Sequence, residues 1–184
     1  IKFSVLKLRN ESGRPRRLSA TAYVEWVLGD LRAKSAMHVS TEIDSASGAL
    51  LARNPFNAEF AERVAFFDVD DPTRRVSGDR AEFVGRNGSL RHPAALGRSR
   101  LSGTVGAGLD PCGAIQVTVD LPAGQAGEIV FRLGVGRNAD EASVLVRRFR
   151  GAEAARTALE AVWQRWNHTL GAVQVETPEP ALDV

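Results

Sequence analysis

The chain of 184 residues contains one cysteine, Cys112. An intrachain disulfide is therefore excluded, and the fold must rest on a buried apolar core. With no partner pattern for a reactive thiol, Cys112 is expected to act as a small buried hydrophobe. Lysine is also scarce: Lys2, Lys7 and Lys34 stand among 24 basic residues, the rest being arginine. The arginines are interleaved with 22 acidic residues, for a formal net charge of +2. No basic stripe results, so a solvated surface is expected and no nucleic-acid partner. The three histidines, His38, His92 and His168, show no ligand spacing, and no metal is expected. No apolar run approaches the length of a membrane span. The first residues, Ile1-Lys2-Phe3-Ser4, already alternate as a strand does, so neither a signal peptide nor membrane contact is expected of this part. Two glycine-rich strings, Val105–Gly108 and Gly134–Arg137, lack the full dinucleotide or phosphate-loop form and read as tight turns.

What the chain does have is alternation. Leu18, Ala20, Ala22, Val24, Trp26 and Leu28 share one face of a strand, with Ser19, Thr21, Tyr23 and Glu25 on the other. A strand near Lys2–Leu8 precedes it, joined by Asn10–Pro15, which has the chemistry of a hairpin turn. Further strands are expected over 36–43 and 49–53, over 63–69 and over 80–84. Two more, around Ile115–Leu121 and Ile129–Val135, flank the turn 122–127. Many short strands with Gly/Pro turns predict an antiparallel β-sandwich.

The pattern then becomes helical. Asn138 or Asp140 caps a helix running to about Arg150, and Gly151 breaks it. Residues 152–170 carry Leu159, Val162, Trp163, Trp166 and Leu170 on one stripe, with Gly171 at the helix end. That stripe demands a large covering surface, shared between the sandwich and a partner domain. Val173 and Val175 read as extended. Thr177-Pro178-Glu179 then has the signature of a helix start, which predicts that the chain is cut from a longer polypeptide. The expected division is a β-sandwich over 1–137 and a helical linker over 138–184.

Three strings carry a family signal: Ala49–Asn57, Val105–Cys112 and, above all, Phe83-Val84-Gly85-Arg86-Asn87-Gly88-Ser89-Leu90-Arg91-His92-Pro93. In their order and spacing they resemble the N-terminal β-sandwich of glycoside hydrolase family 94, the inverting sugar phosphorylases. The likeness is greatest to the phosphorylase region of cyclic β-1,2-glucan synthases. The resemblance runs from about Leu18 onward and implies a large supersandwich of the galactose-mutarotase type. It implies that inorganic phosphate attacks the anomeric carbon while one carboxylic acid protonates the leaving oxygen, so phosphate is a co-substrate and no other cofactor is needed. In the family that acid lies in a helical barrel following this domain, so no catalytic residue is assigned here and the chain alone is not expected to be active. The implied partners are that barrel, a β-glucan oligosaccharide and a second copy in a homodimer. The implied location is the cytoplasmic side of the inner membrane, within a membrane-bound parent.

By resemblance, Arg86, Asn87, Ser89 and Arg91 are the expected substrate-binding residues at the pocket rim, Arg as a bidentate clamp and Asn as donor and acceptor. The alternative for this loop is a domain-packing turn. Elsewhere, His38, Ser40 and Glu42 share a face if 36–43 is one strand, with Asp44 nearby, which raises acid–base or metal chemistry against an ordinary outward face. His92 is read as a loop cap and His168 as a cation at a helix C-terminus. Competing functions are a stand-alone sugar-binding module, which needs an exposed aromatic platform, and a mutarotase-like epimerase, which needs a Glu–His pair.

Overall fold

The computed structural model describes residues 1–172 and Pro178. The extended stretch at Val173 and Val175 and the helix start at residues 177–179 lie outside the described residues, Pro178 apart. The described elements in order are β1 (Lys2–Arg9), β2 (Arg16–Glu25), a helical turn α1 (Arg32–Ser35), β3 (Ser40–Ile43), β4 (Leu50–Arg53), β5 (Val64–Val69), β6 (Arg75–Asp79), α2 (Arg80–Val84), β7 (Pro111–Leu121), β8 (Ala126–Gly136), α3 (Ala139–Arg148) and α4 (Ala152–Leu170). Short 3-10 turns follow α1 and α2, at Ala36–His38 and Ala94–Gly97.

Two antiparallel sheets face one another, as the alternation predicts. One has five strands, ordered β1-β8-β5-β4-β3, and the other three, ordered β2-β7-β6. The core between them takes alternate residues from each: Leu50, Ala52, Ala65, Phe67, Val69, Ile129 and Phe131 from the larger sheet, and Ala20, Val76, Ile115 and Val117 from the smaller. The outer face of the larger sheet is covered by α3. Ala142 and Val146 of that helix meet Leu51, Val64 and Phe66. Every residue of β5 is therefore buried, which explains its unbroken run Val-Ala-Phe-Phe-Asp-Val.

Residues 10–15 do not form a hairpin. β1 pairs with β8 and β2 with β7, so the segment crosses between sheets. The turn after β7 crosses in the same way. Asn10 is what makes the two crossings compatible. Its buried amide donates to the carbonyls of Arg14, Leu121 and Pro122 at 2.9, 2.9 and 3.1 Å, while its backbone pairs with Gln125 and Gly124. A polar turn former was legible; its long-range partners were not.

Three other expectations change. β2 stops at Glu25, because Trp26 turns into the core and Leu28 takes φ +41°, which no strand accommodates. Residues 36–38 form a 3-10 turn, so His38 is not on the strand that carries Ser40 and Glu42. Residues 80–84 are helical: Asp79 Oδ1 accepts from the Ala81 N–H at 2.9 Å, and Gly85 stops the helix at φ +90°. Gly134 and Gly136 lie within β8 and not in a turn. A Cβ on Gly134 would stand 2.4 Å from the Phe66 ring, and one on Gly136 2.4 Å from the Ala142 backbone nitrogen. Their absence of side chain lets Phe66 and α3 approach the sheet. Asn138 is the cap of α3, accepting from the Glu141 N–H at 2.9 Å.

Beneath α3 sits a buried ion pair. Asp68 of β5 and Arg132 of β8 are register partners, both fully buried, and their side chains are hydrogen-bonded. Arg74 also pairs with Asp68, Asp70 with Arg132 at 2.5 Å, and Arg132 donates to the Phe149 carbonyl at 2.7 Å. Removing the Asp68 charge leaves Arg132 to Asp70 alone and takes the carboxylate from Arg74. Asp68→Asn is expected to cost about 3–5 kcal/mol of stability, read as a lowered urea midpoint. Gly134→Val is expected to cost about 1–3 kcal/mol by overpacking, and an unchanged midpoint in either variant would contradict this packing.

Candidate functional site

The helix α2 and the loop after it form a braced projection on the smaller sheet. Phe83 and Val84 are buried with Ala95, Leu101 and Ala114, and Tyr23 stacks on Phe83 at 4.8 Å. Two glycines then set the loop. A Cβ on Gly85 would come within 2.9 Å of Ala94 Cβ, and one on Gly88 would fall 1.9 Å from the Val84 carbonyl oxygen. The Gly88 N–H instead donates to the Gly85 carbonyl at 3.2 Å. Ser89 and His92 bridge, the His92 N–H donating to the Ser89 carbonyl at 3.1 Å, and buried Pro93 returns the chain. Arg86, Asn87, Ser89 and Arg91 are consequently held together on a tight turn with all four side chains exposed.

Ionic networks hold this projection from two sides. On one, Glu82 of α2 accepts from Ser102 Oγ at 2.6 Å, Ser77 Oγ at 3.3 Å and Arg98 at 2.7 Å. Burial opposes the charge of Glu82, but hydrogen bonds from Ser102, Thr104 and Ser77 and the nearby Arg98 outweigh it and hold the carboxyl below its ordinary range. On the other, Arg80 donates to Glu25 at 2.9 Å and reaches Asp110 at 3.5 Å. Arg32 pairs with Asp110, and its Nε lies 3.4 Å from Glu25 without hydrogen-bond alignment. Tyr23 donates to Glu25 at 2.9 Å. Burial again opposes the Glu25 charge, and the bonds from Arg80 and Tyr23 prevail, so its carboxyl is also lowered. Tyr23 is shifted upward, first by burial and then by that bond. Two carboxylates and two guanidiniums compensate one another, which makes this cluster a clasp between segments. The helix that leads into the string 83–93 is thus joined to the string 105–112 through Arg80 and Asp110.

The third string stands apart and forms one wall of a groove of about 740 Å³ at the side of the larger sheet. Asn54 donates to the Leu28 carbonyl at 2.9 Å and accepts from the Phe56 N–H at 3.1 Å. Asn57 Oδ1 accepts from the N–H groups of Glu59 and Phe60 at 3.1 and 3.2 Å. These two turns hold Phe56 outward, 76% exposed, with His38 stacked on one face at 4.2 Å. Lys34 and Arg63 complete the rim. Alternation cannot find this groove, because most of its lining comes from the turns and loops of 28–38 and 54–63, with only Ala65 and Val135 on strands.

The acid–base set around His38 is not assembled. His38 stacks on Phe56, Glu42 pairs with Arg53 at 3.4 Å, and Asp44 caps the β3–β4 turn by accepting from Ser47 N at 3.1 Å. Among the described residues no group of three or more His, Cys, Asp or Glu is placed to hold a metal ion. Cys112 is fully buried against the Ser77 carbonyl, and burial pushes its thiol up to about 12. Among the described residues no helix is long and apolar enough to cross a membrane.

The model of the glycosyl hydrolase 94 supersandwich domain matches residues 1–152. The cyclic beta-(1,2)-glucan synthase NdvB of Rhizobium meliloti is 34% identical over 179 residues, covering 97% of this chain and 6% of that protein. The N,N'-diacetylchitobiose phosphorylase of Vibrio furnissii is 25% identical over 186 residues, 97% of this chain and 22% of that protein. The cellobionic acid phosphorylase of Neurospora crassa is 25% identical over 187 residues, 97% of this chain and 23% of that protein. The chain thus spans less than a quarter of the length of each of these curated relatives.

The lowered carboxyls set a sign for acid stability. Glu25 and Glu82 release protons more readily folded than unfolded, so their contribution is present above the unfolded value of about 4.3 and is lost as pH falls through the folded values. The urea midpoint is expected to drop below about pH 4.3. Replacing both by Gln is expected to flatten part of that drop, and an undiminished acid dependence in the double variant would contradict the assignment.

Proposed function

The chain belongs to glycosyl hydrolase family 94 as its supersandwich domain, and we propose that it is a non-catalytic part that stabilises a catalytic barrel and shapes the rim of its sugar pocket. The observation that carries this reading is the braced loop, which holds Arg86, Asn87, Ser89 and Arg91 outward on a backbone fixed by two glycines. A site that must meet hydroxyls and phosphate needs such groups pre-positioned, because immobilising a flexible arginine on binding costs affinity.

The parent reaction in this reading is inverting phosphorolysis of β-1,2-glucan, with inorganic phosphate as co-substrate. Phosphate attacks the anomeric carbon, and a carboxylic acid of the barrel protonates the departing oxygen. The residues of this chain orient the saccharide; they do not move its proton. In this reading residues from 138 onward lead into the barrel, α3 while packed on the larger sheet and α4 beyond it. The stripe Leu159, Val162, Trp163, Trp166 and Leu170 supports that role, being 51–71% exposed along α4. A contiguous apolar face of this kind marks a protein interface, and the barrel of the same polypeptide is its proposed cover. The parent would work at the cytoplasmic side of the inner membrane.

In the parent polypeptide, Arg86→Ala and Arg91→Ala are each expected to lower kcat/KM for phosphorolysis about tenfold or more, equivalent to about 1.4 kcal/mol, with the melting temperature unchanged. Wild-type kinetics in both would leave the loop as a packing turn. In the present chain, Trp163→Ser with Trp166→Ser is expected to reduce self-association on sizing without lowering the melting temperature.

A further inference from the structure

We propose that the groove beside the larger sheet is a second saccharide subsite, taking a neutral oligosaccharide segment against the free face of Phe56. The proposal rests on the family reading above but concerns residues remote from the Arg86–Arg91 loop.

The groove has the volume of a ligand site, and its chemistry is selective. One face of Phe56 is occupied by His38 at 4.2 Å with the rings 12° from parallel. With 76% of the residue exposed, the opposite face is bare. Exposure of that degree on a chain terminus would mean little. Here the backbone that carries the ring is held on both sides, Asn54 Oδ1 accepting from the Phe56 N–H and Asn57 Oδ1 from the N–H groups of Glu59 and Phe60, and His38 backs one face of the ring. A flat, exposed ring so backed is a stacking surface for the C–H face of a pyranose.

The polar groups around it suit hydroxyls. The Asn57 carbonyl oxygen is used within its own turn, which leaves its amide N–H groups to donate outward. The imidazole of His38 is stacked on the ring, and the Arg63 guanidinium lies over Phe60 at 5.1 Å. Formal charge balances: Lys34 is paired with Asp30 at 3.0 Å, and Glu59 offsets Arg63. A balanced rim gives no attraction for a nucleic acid or a polyphosphate and favours an uncharged ligand with many hydroxyls.

The test is an NMR titration of this 184-residue chain with linear β-1,2-glucotetraose and, separately, cellotetraose. Saturable shifts are expected at Phe56, Asn57 and His38. Phe56→Ala is expected to weaken binding at least tenfold with no change in melting temperature, since the side chain is exposed, and Phe56→Trp to retain it. If cellotetraose binds in this Phe56-dependent way and the β-1,2 sugar does not, the subsite stands and the β-1,2 reading of the parent falls. If binding is lost in Arg86→Ala and Arg91→Ala but unchanged in Phe56→Ala, the subsite is overturned and the loop reading stands. No shift in the groove with either sugar at millimolar concentration also overturns it, leaving the groove to another segment of the parent polypeptide.

Discussion

The buried pair Asp68–Arg132 is the constraint on which the rest of the architecture depends. Both residues are withdrawn from water, and desolvating two charges costs several kcal/mol each, so the site is tolerable only with both charges paired. Arg132 Nε stays without a partner, and its other two nitrogens carry the bonds. Making those bonds fixes the geometry around the pair. β5 and β8 must hold their register, Asp70 must turn back over Arg132, and the Phe149 carbonyl at the end of α3 must come down to the guanidinium. The second oxygen of Asp70 accepts from the Gly151 N–H at 2.7 Å, where α4 begins. One ionic centre therefore links the middle of the larger sheet to the helix that leaves the sandwich and sets where its tryptophan face begins.

The smaller sheet repeats this logic at its surface. Glu25, Arg32, Arg80 and Asp110 join the start of α2 to the strand entry at Pro111, and Glu82 ties α2 to the segment 98–104. Each cluster contains as many cations as it needs to neutralise its carboxylates. Neither leaves an unspent charge with which to do chemistry. The groups available for recognition lie beyond them, on the loop 86–91 and in the groove at Phe56. In this fold the charged residues that are bonded most completely serve as supports, and the exposed polar ones are the candidates for contact.

The sequence was most legible where one physical rule governs. Period-two alternation marks β1, β7 and β8, and the short runs 36–43 and 49–53 contain the paired strands β3 and β4. The period of α4 and its flanking glycines gave both its ends. Legibility failed where distant partners decide. Asn10 was read as a turn residue, but its amide serves carbonyls more than a hundred positions away. The pair Phe83-Val84 was read as strand, although the Asp79 cap and Gly85 stop define a helix. Gly134 and Gly136 were read as a turn because nothing local reveals that Phe66 and α3 press on them. For the site, the loop 83–93 was found from its composition and family likeness, and its exposed side chains sit together as a short loop requires. The groove has no local signal, since His38 belongs to a 3-10 turn and its stacking on Phe56 joins segments distant in sequence.

The central functional claim is that the exposed residues of the 86–91 loop belong to the sugar pocket of a larger enzyme. The most direct measurement is the structure of the parent polypeptide with a β-1,2-gluco-oligosaccharide and phosphate bound. A guanidinium of Arg86 or Arg91 is expected within about 3 Å of a sugar hydroxyl or phosphate oxygen, with the loop closing one side of the pocket. A pocket complete without this chain, with the loop facing bulk solvent, would contradict it.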